Sequence, residues 1–156
     1  MGVARLHQLA IKRSEEAVTS GAMCPLPTRV ERCSGPSAKG FELRHLIGSP
    51  PRHLRPAGPK PNPFLPWDRR LELETVGSHH VLILNKYPVQ IGHMLLISRQ
   101  WAPQTGWLTP LDWQAVHAVR KDSDGLWFFN SGPSAGASQP HRHLQLLPRE
   151  VGESLC

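Results

Sequence analysis

From His141 to Leu147 the chain reads His-Arg-His-Leu-Gln-Leu-Leu, and only an extended strand turns that order into two distinct faces. Side chains at i, i+2 and i+4 of a strand point the same way, so His141, His143 and Gln145 line one face. The residues just before them, Gly132-Pro-Ser-Ala-Gly-Ala-Ser-Gln-Pro140, are too small and too rich in breakers to form anything but a loop. A loop of this kind lets backbone N–H groups converge on an anion, which is how phosphates are commonly held. Histidine can also form covalent intermediates. An imidazole strand fed by a phosphate-type loop points to nucleotidyl transfer, with His143 as the nucleophile at the middle of the polar face. Gln145 and the loop N–H groups are positioned to meet charge on the phosphate oxygens.

The rest of the chain leaves few places for regular structure, because 16 of its 156 residues are proline and 13 are glycine. Residues 3–20 read as a helix with Leu6, Leu9, Ala10 and Val18 facing inward and Gly21 as its stop. From Pro25 to Pro66 breakers and basic residues dominate, with Phe41–Leu46 as a strand and Pro56–Pro63 as a surface loop. His80–Leu84 and His93–Ile97 are apolar runs of strand length joined by the loop Asn85–Gly92. Thr109-Pro-Leu-Asp112 has capping-box spacing with proline at the first helical position. It opens a helix to about Arg120, with Leu111, Ala115, Val116 and Val119 inward. Leu126–Phe129 and His141–Leu147 complete the set of strands. The order predicts an α+β fold in which a helix packs on one face of an antiparallel sheet. Residues 1–40 form an N-terminal helix and linker, and residues 41–156 form the domain.

Charge narrows the ligands. The net charge of +6 suits polyanions such as nucleotides, and by itself would also fit nonspecific nucleic-acid binding. Cys24, Cys33 and Cys156 make no Cys-x-x-Cys pair, which favours reduced thiols and a cytoplasmic protein. Nothing reads as a secretory h-region or a membrane span. A His-x-His pair also occurs as a metal pair or a solvated edge. Zinc, however, asks for about four ligands; the cysteines lack finger spacing, and His79-His80 could supply partners only by accident of folding. Trp101, Trp107, Trp113 and Trp127 read as core or loop-anchoring aromatics, too irregularly spaced for a stacking platform. His93 reads as a satisfied strand histidine and His117 as structural or exposed.

Three segments carry a specific resemblance: Asn85-Lys-Tyr-Pro with Gly92-His-Met-Leu-Leu-Ile, Phe128-Phe-Asn-Ser-Gly-Pro133, and Gly136-Ala-Ser-Gln-Pro-His-Arg-His-Leu-Gln145. Together they resemble the ATP adenylyltransferases, or diadenosine tetraphosphate phosphorylases, a branch of the histidine-triad superfamily. That branch has glutamine in place of the third triad histidine, as at Gln145. The resemblance covers roughly residues 41–150 and implies a histidine-triad-like fold. It also implies reversible phosphorolysis of diadenosine tetraphosphate to ATP and ADP through an adenylyl-histidine. Position by position, His143 matches the nucleophile. Asn85, Lys86, Asn130, Gly136, Ala137, Ser138, Gln139, His141 and Gln145 match substrate-binding positions. A phosphate-binding lysine of the family falls at Arg55 or Lys60, where an arginine would hold phosphate with different geometry.

The partners this implies are ATP, ADP, diadenosine tetraphosphate and phosphate, with no membrane and no nucleic acid. No cofactor is required, and Mg²⁺ is a candidate only because polyphosphates travel with it. No dedicated metal site is expected. Family members run longer, so the domain is expected to lack their C-terminal portion, with a separate C-terminal half as a candidate partner. Two other readings use the same residues. A hexose-1-phosphate uridylyltransferase also has a His-x-His-x-Gln strand, but it prefers proline and glycine where this chain has Arg142 and Leu144. A catalytically impaired nucleotide-binding fragment would bind ATP without forming an adduct.

Overall fold

The computed structural model describes residues 5–34, 40–48 and 61–149. Arg55, Lys60 and most of the loop expected over 56–63 lie outside these residues. Helix α1 spans Arg5–Thr19, inside the predicted bounds. Its inward residues are Leu6, Ala10, Ser14 and Ala17, while Val18, expected to face inward, is exposed. The i, i+4, i+3 spacing of the buried set places Val18 off that stripe. Ser14 occupies a core position because its hydroxyl donates to the Ala10 carbonyl at 2.7 Å, which satisfies it without water. Leu6 and Ala10 join the same hydrophobic core as the sheet residues.

Strands β1 (Thr28–Ser34) and β2 (Gly40–Leu46) pair antiparallel as a separate ribbon, from Thr28 opposite Leu46 to Ser34 opposite Gly40. The boundary expected at residue 40 therefore falls inside this ribbon. β2 was legible as a strand; β1, Thr-Arg-Val-Glu-Arg-Cys-Ser, has too few apolar residues to signal one.

Five further strands make the main sheet: β3 (Glu72–Val76), β4 (His80–Leu84), β5 (Met94–Ser98), β6 (Gly125–Phe128) and β7 (His143–Pro148). All pairs are antiparallel, in the order β3-β4-β5-β7-β6. The α+β antiparallel class is as expected. β4 is buried along its whole length, and Met94–Ile97 of β5 are buried as well, which explains why both read as unbroken apolar runs. β7 lies between β5 and β6, so the strand bearing His143 and Gln145 is held on both sides. Ile97 pairs with His143, Leu95 with Gln145, and Phe128 with Gln145 from the other side. His141 precedes the strand and joins Pro103 in an isolated bridge.

Helix α2 spans Pro110–Arg120 and carries the predicted capping box, with Thr109 and Asp112 bonded reciprocally. Its inward residues are Asp112, Ala115, Val116 and Val119. Leu111, expected inward, is exposed, because the buried position belongs to Asp112. That carboxylate accepts from Arg142 Nη2 at 2.8 Å and Nε at 3.0 Å, and it faces His80 Nε2 at 3.0 Å. Arg142 goes on to donate to the carbonyls of Pro103, Thr105 and Trp107, and it lies over the Phe129 ring at 5.2 Å. The side of the strand opposite His143 is thus anchored to α2 and to the 103–107 segment by one arginine. Three tryptophans read as core or loop anchors are instead exposed: Trp101, Trp113 and, at 92%, Trp107. The Arg142 bond to Trp107 goes to its backbone carbonyl, while the indole lies in solvent. Trp127 packs against the core.

Burial alone would push the Asp112 carboxyl up, but bonds from His80, Arg142 and Thr109 outweigh it and hold the group well below the usual carboxylate range. The contribution of a carboxylate depressed in this way is fully present above its ordinary value and is lost as pH falls from there toward the folded value. Asp112→Ala, which leaves Arg142 buried without its counter-ion, should cost about 3–5 kcal/mol in urea unfolding at pH 7. Asp112→Asn should show a smaller loss of stability than the parent as pH is lowered through about 4. Equal acid sensitivity in the two chains would contradict this account.

Candidate active site

His143 is 3% exposed and opens β7. Its Nδ1–H donates to the backbone carbonyl of His141 at 2.7 Å, which leaves Nε2 as the nitrogen with a free lone pair. Burial pushes this imidazole down, more than the bond to the His141 carbonyl pushes it up, with nearby His141 adding to the downward shift. The ring is therefore neutral at ordinary pH, as a nitrogen nucleophile must be. β6 ends at Phe128, opposite Gln145, so at His143 the ladder on that side has run out. The Gln104 side chain replaces it. Its Oε1 accepts from the His143 N–H at 2.7 Å, and its Nε2 donates to the His143 carbonyl at 2.9 Å and the Asn130 carbonyl at 3.0 Å.

His141, expected to bind substrate, is fully buried with both ring nitrogens bonded inside the protein. The Phe64 N–H donates to Asn62 Oδ1 at 2.9 Å, which turns the Asn62 amide nitrogen onto His141 Nδ1, also at 2.9 Å. His141 Nε2–H then donates to the Ser98 carbonyl at 2.8 Å. Phe64 packs edge-on against His141 and tilted against His143, with centroids 5.5 Å and 5.4 Å away. Residues 62–64, the end of the proline-rich lead-in, thus clamp the start of the histidine strand. His141 acts on the site by presenting the carbonyl that fixes the tautomer of His143.

Gln145 shares the His143 face and meets His93 Nε2 through its Oε1 at 3.1 Å. His93 is itself bonded to Asn85. It is a buried histidine with both ring nitrogens bonded, immediately before β5, and burial lowers it to about 4. Lys86 follows Asn85 and is exposed, with its ammonium 5.7 Å from the Tyr87 ring.

The small-residue loop is a 3-10 turn, Pro133–Ala135, between Gly132 at φ 84° and Gly136 at φ 89°. Both lie in the left-handed region that favours glycine. The turn uses some amides that were expected to face an anion: Gly136 N–H bonds Pro133 and Ala137 N–H bonds Gly132. Asn130 Nδ2 reaches the Gly136 carbonyl only at 3.5 Å, and beyond the turn Ser138 and Gln139 line a cleft of about 240 Å³ with Trp101 and Thr105. His143 and Gln145 share one face of β7, and Asn85 is tied to Gln145 through His93. The Asn130 carbonyl shares the Gln104 amide with the His143 carbonyl, residues 137–139 line the cleft beyond the turn, and Arg55 and Lys60 lie outside the described residues. The sequence reading did not single out Asn62, Phe64, Ser98 or Gln104. Each sits in a segment without a motif, although the Asn-Pro-Phe order of 62–64 is itself a turn signal. Among the described residues no group of three or more His, Cys, Asp or Glu side chains could hold a metal, and no helix is long and apolar enough to cross a membrane.

A neutral, buried histidine with one free nitrogen, on an interior strand of an antiparallel α+β sheet that follows a glycine-serine turn, is a site suited to nucleophilic chemistry at histidine. Residues 2–155 match the family model described as the Ap4A phosphorylase N-terminal domain, and the chain belongs to that family. It is similar to Protein APA1 of Saccharomyces cerevisiae, 38% identical over 73 residues that span 42% of this chain and 23% of that protein. Diadenosine 5',5'''-P1,P4-tetraphosphate phosphorylase 2 of the same yeast is 39% identical over 77 residues, 42% of this chain and 24% of that one. The fold is shared with the crystal structure of yeast Ap4A phosphorylase Apa2 in complex with Ap4A, with a TM-score of 0.77 and 24% identity over 97% of this chain and 54% of that chain. The chain thus spans about half the length of that yeast structure and matches about a quarter of the curated relatives.

In an NMR pH titration, His143 should titrate below the ordinary imidazole value of about 6.5. Its Nε2 should be the unprotonated nitrogen at pH 7, and His93 should titrate near about 4. A midpoint for His143 at or above the ordinary value would contradict the geometry.

Proposed function

We propose that these residues carry out the first half of diadenosine tetraphosphate phosphorolysis, transfer of an adenylyl group to His143. The carrying observation is the tautomer: Nδ1–H is committed to the His141 carbonyl, so Nε2 is the atom that can attack phosphorus. Nε2 forms a bond to the α-phosphorus of one adenosine, the bond from that phosphorus to its bridging oxygen breaks, and ATP leaves. The imidazole then carries a positive charge, which the His141 carbonyl stabilises through the same hydrogen bond. Phosphate attacks the adduct, releasing ADP and restoring neutral His143. Two displacements at one histidine let phosphate and ADP alternate as acceptor, so exchange follows a ping-pong course.

Charge on the transferred phosphate is met by the Gln145 amide and by Ser138 and Gln139 at the end of the turn. Lys86 is an exposed cation near Asn85 that suits distal phosphates, and Arg55 or Lys60 would add a second. Glutamine cannot shuttle a proton to water as a third histidine could, which agrees with phosphate rather than water as acceptor. Any magnesium would arrive on the polyphosphate. The names of the relatives, a diadenosine tetraphosphate phosphorylase and a phosphorylase bound to Ap4A, support this substrate class.

Incubation with diadenosine tetraphosphate in the absence of phosphate should release about one ATP per chain and then stop. His143→Ala should release none while still binding ATP by calorimetry. An equal burst from the variant, or none from the parent, would overturn the proposal.

A further inference from the structure

A glutamine side chain has nearly the same shape with its amide turned either way, so a lone Gln145 could present either a donor or a carbonyl oxygen to an anionic phosphate. Here the choice is made by neighbours. Tyr87 N–H donates to Asn85 Oδ1 at 3.0 Å, so the Asn85 amide nitrogen is the atom that faces His93 Nδ1 at 3.3 Å. An amide nitrogen only donates, so Nδ1 must accept and the proton of the neutral ring sits on Nε2. That Nε2–H donates to Gln145 Oε1 at 3.1 Å. With its oxygen committed to His93, the Gln145 NH2 is turned away from it, on the strand face shared with His143. His93 is buried and its ring lies 6.4 Å from Phe128, tilted by 40°, which holds the imidazole in register.

We infer that His93 is a positioning residue which, oriented by Asn85, fixes the Gln145 amide as a hydrogen-bond donor toward the transferred phosphate. The inference rests on the adenylyl-transfer reading of His143. It gives Asn85 a role apart from direct nucleotide contact, because its amide is directed onto His93. Like the Asn62–His141–Ser98 set, it is a chain in which a backbone N–H sets an asparagine and the asparagine sets a histidine tautomer. The two chains serve different ends: one presents the carbonyl that fixes the nucleophile, the other points the glutamine.

Two measurements test this. In long-range 1H–15N spectra of the parent chain, His93 should carry its proton on Nε2 with Nδ1 bare. In single-turnover ATP release, His93→Phe should slow the burst by about 10- to 100-fold, approaching the effect of losing an oriented donor. The same substitution should have almost no further effect in a Gln145→Ala background. His93→Gln, whose amide can accept from Asn85 and donate to Gln145, should restore part of the rate. A His93 proton on Nδ1, or equal slowing by His93→Phe with and without Gln145, would overturn the inference. If the parent releases no ATP at all, the transfer reading fails, while the tautomer measurement still decides the chain of bonds.

Discussion

The bond from His143 Nδ1–H to the carbonyl of His141 is the contact on which the proposed chemistry of this domain depends. It lies within one strand, two residues apart, at 2.7 Å. A histidine in solution exchanges between two neutral tautomers and a cation. Here burial removes the cation and the carbonyl removes one tautomer, leaving a single nitrogen with a lone pair. That carbonyl must itself stay in place. Asn62 and Ser98 hold the His141 ring from both ends, Phe64 packs on both histidine rings, and Gln104 grips the backbone of His143 where the sheet ladder has ended.

The two faces of β7 divide the labour. One carries His143 and Gln145 and stays neutral, with histidines depressed by burial and amides supplying direction. The other begins with Arg142, whose charge is matched by buried Asp112 and whose remaining donors reach three carbonyls of the 103–107 segment. That segment contains Gln104. The ion pair therefore reaches His143 indirectly, by fixing the loop whose glutamine holds the His143 backbone. A buried pair of this kind adds little net stability over an apolar one, and its value here is in placement.

Much of this was legible in the sequence because it was local. Alternation from His141 to Gln145 identified the strand and its face, unbroken apolar runs identified β4 and β5, and Thr109-Pro-Leu-Asp112 identified the start of α2. Short-range rules govern each of these. What escaped depends on pairing across the chain. Asp112 displaced Leu111 from the buried side of α2 because Arg142, thirty residues on, needed a counter-ion. Val18 lost its expected place to Ser14, whose hydroxyl found a carbonyl one turn back. Asn62, Phe64 and Gln104 entered the site from segments whose composition signalled only turns. The glycine-serine segment, read as a loop, closes on itself as a turn in which Gly136 and Ala137 use their N–H groups internally, a local pairing that composition alone does not reveal.

The central claim is that Nε2 of His143, and no other atom, is the nucleophile. The most direct measurement is 31P and 15N NMR of the chain labelled with 15N-histidine after incubation with diadenosine tetraphosphate. The account predicts a phosphorus–nitrogen coupling to Nε2 of His143, with the proton retained on Nδ1. A phosphoramidate on Nδ1, or on any other histidine, would contradict it.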